Sequence, residues 1–95
     1  MMSSSSIAVE YYEKKFGGDS KAAFIHLVRE IGEIAFAMEK SNTEHAKLEI
    51  TESVALLHYL ASKYGLDVDA NMQAVYSKKM QSLRDSSTSS PPAPK

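Results

Sequence analysis

The chain of 95 residues contains no cysteine, and its three prolines all lie within the last five residues. Without cysteine it can form neither disulfides nor thiolate zinc sites, and it has no cysteine nucleophile. No apolar run approaches about 18 residues, so a transmembrane helix is not expected. The serine-rich start lacks the basic and apolar segments of a signal peptide. A net charge of −1 provides no overall basic surface for nucleic acid. These absences predict a soluble, cytoplasmic protein without a membrane or nucleic-acid partner.

Both ends of the chain are rich in serine or proline and have little to bury. Residues 1–6 and 86–95 are therefore expected to be disordered. The remaining residues 7–85 are enough for one domain with a thin hydrophobic core. Small helical domains of this size are often completed by association, so we expect a dimer.

Apolar residues recur at spacings of three and four along most of this domain, which is typical of amphipathic helices. The pattern predicts four helices, over residues 7–16, 21–40, 44–64 and 68–84. Short connections favour antiparallel neighbours. The predicted fold class is therefore all-α, a bundle of about four helices.

The most apolar stripe of each long helix is expected to form the core. In the second helix this stripe consists of Phe24, Leu27, Val28, Ile31, Ile34, Ala35 and Met38. In the third helix it consists of Ile50, Val54, Leu57, Ala61 and Tyr64.

Two Glu-x-x-Glu pairs, Glu30/Glu33 and Glu49/Glu52, lie on these two helices. Residues three apart on a helix point the same way, so each pair repels itself. The second pair shares its side of the helix with apolar residues, which predicts cover by another helix or another subunit. Carboxylates without thiolates are ligands for hard cations, and we expect Mg²⁺ or Mn²⁺. The alternative is that both pairs lie by chance on solvated faces.

The sequence around the acidic pairs resembles a known family. The run LVREIGEIA at residues 27–35, followed by EITE at residues 49–52, is similar to the motifs of the MazG-like all-α nucleoside triphosphate pyrophosphohydrolases. The segment YGLD at residues 64–67 and the basic last helix also resemble the corresponding parts of this family. The similarity extends from about residue 27 to residue 84.

The resemblance implies Mg²⁺-dependent hydrolysis of an NTP or dNTP to the monophosphate and pyrophosphate, by a homodimer or a dimer of dimers. It implies that the metal ligands are Glu30, Glu33, Glu49 and Glu52. Glu33 or Glu49 is the expected catalytic base. His26 is expected to contact the nucleotide, and the expected phosphate contacts are Lys78, Lys79 and Arg84.

This chain departs from the family pattern at three positions. Glu52 stands where the family usually has Asp, and Arg29 and Leu48 replace residues that are often acidic. Mg²⁺ demands close to ideal octahedral geometry, so a longer carboxylate arm matters. Two alternatives therefore stay open. One is a non-catalytic or weakly active MazG-like dimerisation module, and the other is an enzyme similar to phosphoribosyl-ATP pyrophosphohydrolase.

Overall fold

Four α-helices make up almost all of the computed structural model, which describes residues 3–89. They are α1 (Ser4–Phe16), α2 (Ser20–Glu39), α3 (Thr43–Lys63) and α4 (Val68–Ser89). No strand occurs within that range. The prediction of an all-α chain with four helices is thus confirmed.

The helices begin where side chains cap them. Asp19 and Asn42 lie just before α2 and α3, and their side-chain oxygens accept hydrogen bonds from backbone N–H groups three residues later, at 3.1 and 3.2 Å. Asp67 does the same for α4, accepting from the Ala70 N–H at 3.1 Å. These caps satisfy amide groups that the first helical turn leaves without partners.

The ends of the chain differ in part from the expected disorder. α1 begins at Ser4 because the Ser3 hydroxyl caps it by accepting from the Ser6 N–H at 3.1 Å. Residues 4–6, expected to be disordered, are therefore helical. α4 likewise continues through residues 86–89. The rest of both predicted tails, residues 1–2 and 90–95, lies outside the described residues.

α2 and α3 form the centre of the fold. A short turn at residues 40–42 joins them, and they pack side by side as an antiparallel hairpin. α1 covers one side of this hairpin and packs mainly on α3. Between residues 3 and 89, α4 has no comparable packing against the other helices. The buried apolar residues are Tyr12, Ala23, Leu27, Ala37, Leu56 and Tyr59.

The predicted core stripes were wrong for most of their residues, although Leu27 is buried as expected. Among the other predicted core residues, Val28 is 52% exposed and Val54 is 49% exposed. On both helices the buried face is turned by about 100° from the most apolar stripe. It contains small side chains such as Ala23 and Ser53, which let helices approach closely. Periodicity identified the most apolar face of each helix. The helices of one chain pack instead through the face that carries the smaller side chains.

Two polar contacts attach α1 to the end of α3. The Tyr59 hydroxyl donates a hydrogen bond to the Gly17 carbonyl at 2.5 Å. The Lys63 ammonium donates to Glu13 Oε1 at 2.8 Å. Gly17 has a φ of 61°, in the left-handed region that favours glycine. Across the described helices, none combines the length and the apolar character needed to cross a membrane.

Candidate metal centre

Three carboxylates meet where α2 and α3 pack together. Glu30 extends from α2, and Glu49 and Glu52 extend from successive turns of α3. One oxygen from each side chain lies within 4.8 Å of the other two. The antiparallel arrangement produces this meeting, because the middle of α2 lies opposite the first half of α3. We call Glu30, Glu49 and Glu52 the carboxylate cluster.

The cluster is largely removed from water. The side chains of Glu30 and Glu49 are only 14% and 10% exposed. Glu49 Oε2 is buried and makes no hydrogen bond within the described structure. An unsatisfied buried polar group costs roughly 1–3 kcal/mol, and more when it is charged. A buried, unpartnered carboxylate oxygen is therefore an observation that points to a ligand.

The three carboxylates affect each other's protonation. The pKa of Glu30 is raised from its ordinary value of 4.5 to about 7. Burial is the largest cause. A protonated Glu30 could also donate to a carboxylate oxygen of Glu49 or Glu52, and the negative charges of both glutamates raise the pKa further. Two carboxylates that share a site cannot both ionise at ordinary cost. The cluster thus holds a proton near neutral pH when no cation is bound.

Two histidines flank the cluster, each four residues before one of its glutamates. His26 Nε2 lies 3.9 Å from Glu30 Oε1, and His45 Nε2 lies 3.4 Å from Glu49 Oε1. The His26 ring also lies 5.8 Å from the ring of Phe16 on α1. His26 was predicted as a site residue but His45 was not. The repeated His-x-x-x-Glu spacing was the sequence signal that could have identified it.

Tyr12 is a further neighbour that the sequence reasoning did not assign to the site. It belongs to the same buried apolar core as Leu27 and Leu56, each of which lies about one turn from a cluster glutamate. Burial raises the pKa of Tyr12, and the negative charges of Glu52, Glu30 and Glu49 raise it further. The phenol therefore stays protonated and remains a hydrogen-bond donor at the edge of the cluster.

Ser53, next to Glu52 in the chain, is also buried, and its hydroxyl oxygen makes no hydrogen bond in the described part of the chain. No signal in the sequence distinguished it from an ordinary small core residue.

The structure does not bring every predicted site residue together. Glu33 is exposed and is not part of the carboxylate cluster, because it lies about 60° around α2 from Glu30. Lys78, Lys79 and Arg84 are exposed on α4, which does not pack on the α2–α3 hairpin. Within one chain these basic residues are therefore separate from the cluster.

The residues present fit a hard divalent cation. All three donors are carboxylate oxygens, the ligand type that Mg²⁺ and Mn²⁺ prefer. Oxygens around one such ion lie about 3 to 4 Å apart, and one oxygen from each glutamate of the cluster lies within 4.8 Å of the other two. Glu30 and Glu52 keep partial access to solvent, which leaves room for water or a substrate oxygen.

Comparisons with protein-family models, curated proteins and solved structures give no match for this chain. The functional argument therefore depends on the residues and their geometry.

Proposed function

We propose that this protein is a Mg²⁺-dependent nucleoside triphosphate pyrophosphohydrolase, with Mn²⁺ as a second usable ion, similar to the MazG-like family. The observation that carries the proposal is the buried, unpartnered Oε2 of Glu49 inside a cluster of three carboxylates. A structural cluster would be expected to pair its buried oxygens with a lysine or an arginine. Here no lysine or arginine among the described residues forms an ion pair with Glu49; a histidine, His45, lies beside its other oxygen.

In this proposal Glu30, Glu49 and Glu52 hold the cation. When bound, Mg²⁺ supplies positive charge that polarises the phosphoryl oxygens and lowers the pKa of a bound water. Glu30 releases its proton on binding, because the ionised form is the ligand. The partly exposed side of the cluster leaves the triphosphate an approach from solvent.

The reaction requires a water oxygen to attack the α-phosphorus while the bond to the α–β bridging oxygen breaks. Pyrophosphate leaves with the bridging oxygen, and the water proton must go to a base. Glu33 is exposed one turn beyond Glu30 and is free of the cluster, so it is the better candidate for this base. Glu49 is better suited to ligation, since it is buried. His26 lies beside Glu30, which supports its proposed contact with the nucleotide.

We further propose that the protein is a homodimer or a dimer of dimers. The described part of one chain buries six apolar side chains, whereas nineteen large apolar side chains are exposed. Exposed apolar area on that scale favours an interaction surface. If Lys78, Lys79 and Arg84 contact the triphosphate, they would have to do so from α4 of another copy.

A second candidate is a non-catalytic helical dimerisation module. It is favoured by the position of Glu33 outside the cluster, which leaves three ligands instead of four. The absence of extra acids at Arg29 and Leu48 also favours it, because it lowers the negative charge available to a cation. An enzyme similar to phosphoribosyl-ATP pyrophosphohydrolase would use the same metal site and differ in its base pocket.

The test is a panel of NTPs and dNTPs incubated with the full chain and Mg²⁺, with pyrophosphate release as the readout. We expect release from at least one nucleotide, and an increase in melting temperature on adding Mg²⁺ alone. The absence of both would exclude the enzyme. A Mg²⁺ shift without any pyrophosphate would favour the non-catalytic module.

A further inference from the structure

The side of the α2–α3 hairpin away from α1 is an apolar surface that nothing in the described chain covers. Six of its large side chains are each about half exposed. They belong to the most apolar stripes of α2 and α3, which helical geometry brings to the same side of the hairpin. We call this surface the outer face; it consists of Phe24, Val28, Ile31, Ile50, Val54 and Leu57.

α4 carries a second uncovered apolar surface. Its large apolar residues recur along one side of the helix over three turns and are between 44% and 62% exposed. We call this surface the arm stripe; it consists of Met72, Val75, Tyr76, Met80 and Leu83. Helices in water derive most of their stability from packing such a stripe against a partner.

The arm stripe is not packed on the outer face of its own chain. α4 starts five residues after α3 ends and has no extensive packing against the hairpin. The radius of gyration is 17.7 Å, whereas a compact domain of this length has a radius of about 12 Å. The chain therefore presents two apolar surfaces that are suited to each other but separated in space.

We propose that α4 is an exchanged arm, which packs its stripe on the outer face of a second copy of this chain while the α4 of that copy packs in return. The inference rests on the homodimer part of the proposed function and is independent of its metal chemistry. A two-fold axis closes the exchange, since each copy supplies one arm and one face.

The amount of apolar surface supports a second copy as the occupant. The outer face and the arm stripe together present eleven half-exposed large side chains per chain. Burying them in two copies removes roughly 1,000 Å² of apolar surface from water. This is about the apolar share of a standard-sized protein interface. One pair of chains thus covers both surfaces without a further partner.

Local shape and charge agree with this assignment. Next to the outer face lies an open groove of about 520 Å³, lined by Phe24, Ile25, Leu60 and Tyr64, where a side chain such as Tyr76 could insert. α4 has three basic and two acidic residues, whereas residues 3–67 have seven basic and ten acidic residues. The arm is therefore attracted to the body of a second copy.

The first experiment places three glutamates on the arm stripe of the full chain, as Met72→Glu, Tyr76→Glu and Met80→Glu. A matched control places three glutamates on the opposite side of α4, as Ala70→Glu, Ala74→Glu and Ser77→Glu. Sedimentation equilibrium should show a dimer for the wild type and the control. The stripe variant should dimerise about 100-fold more weakly or not at all.

The second experiment separates arm exchange from simple face-to-face association. A second variant, with Val54→Glu and Leu57→Glu, has a disrupted outer face and an intact arm stripe. The first variant has an intact outer face and a disrupted arm stripe. Each should be monomeric alone. Their mixture should form heterodimers, since one arm–face contact is intact in the mixed pair and none in either homodimer.

The outcomes distinguish the proposals. A wild type that stays monomeric at high micromolar concentration overturns both the homodimer and the exchange. A stripe variant that remains a dimer, or a mixture that remains monomeric, overturns the exchange and leaves the homodimer. Far-ultraviolet circular dichroism checks that each variant is folded. Pyrophosphate release by the wild type tests the proposed metal chemistry independently of dimerisation.

Discussion

The inner side of the α2–α3 hairpin, which packs within the chain, removes Ala23, Glu49 and Ser53 from water, whereas the outer side leaves Val28 and Val54 about half exposed. Both helices thus bury small and acidic side chains beside a few large apolar ones, and they leave more of their large apolar side chains exposed than buried. The difference is what we would expect if the two sides have different partners, as proposed above. Small and acidic side chains on the inner side suit a bound cation, and large apolar side chains on the outer side suit another protein surface.

The largest expected effect comes from the inner side. Glu49→Gln removes a charged ligand and should lower pyrophosphate release by more than about 100-fold. Replacing even a residue that only hydrogen-bonds to a metal ligand lowers metal affinity or activity by about 10–100-fold. It should also abolish the Mg²⁺-dependent increase in melting temperature. Stability without metal should rise or stay level, because repulsion is relieved. Glu44→Gln, exposed on the same helix, is the control and should change neither measurement.

Two adjacent leucines compare the two sides directly. Leu56 is fully buried on the inner side, and Leu57 is 52% exposed on the outer side. Leu56→Ala should lower the free energy of unfolding by about 2–5 kcal/mol, as expected for a core cavity. Leu57→Ala should have a small effect in dilute protein and should mainly weaken dimerisation. Urea denaturation at two protein concentrations checks both. Equal, concentration-independent losses would contradict the distinction between the sides.

The pH dependence sharpens the description of the inner side. The pKa of Glu30 is about 7 in the folded state and has its ordinary value of 4.5 in the unfolded chain. Between these values the folded state keeps a proton that the unfolded state has released. The stability of the metal-free protein should therefore fall as the pH rises from about 4.5 to about 7, and then level off.

Thermal melts across this pH range measure the effect. Glu30→Gln should flatten the curve, whereas Glu33→Gln, exposed on the same helix, should leave it unchanged. An identical slope in the wild type and in Glu30→Gln would assign the proton to another group.

The smallest expected effect concerns the arm. Replacing Lys78 and Lys79 by alanine should raise the KM for the triphosphate by less than about 10-fold, with little change in kcat, because exposed charges are weakened by salt screening. The effect should shrink as salt concentration rises. The pair Lys14→Ala and Lys15→Ala, also adjacent and exposed, is the control. A large fall in kcat would place the lysines at the reacting phosphate.

The sequence was sufficient for the number of helices and for the starts of α2 and α3 to within one residue, because caps such as Asp19 and Asn42 act locally. It missed the start of α1 and the end of α4. It also indicated that Glu49 shares its face with apolar residues and needs cover, and the cover is provided by helices of the same chain. It could not identify the packed face. That depends on which small residues of α2, such as Ala23 and Ala37, allow α1 and α3 to approach.

Three of the four glutamates predicted as metal ligands lie together in the carboxylate cluster, and Glu33 does not. The spacing of the acidic pairs along the chain does not fix how far α2 is rotated about its axis, and this rotation decides that Glu30 joins the cluster and Glu33 does not. The contribution of Tyr12 requires α1 to be placed across the hairpin, which no local pattern specifies.

The short turn at residues 40–42 has a consequence for the folding pathway. Contacts between helices joined by so few residues are local in sequence, so they tend to form early. We therefore expect Glu30 and Glu49 to approach each other early in folding, before α1 packs on the hairpin. Their repulsion should slow refolding at alkaline pH, and a divalent cation in the refolding buffer should accelerate the closure of the hairpin.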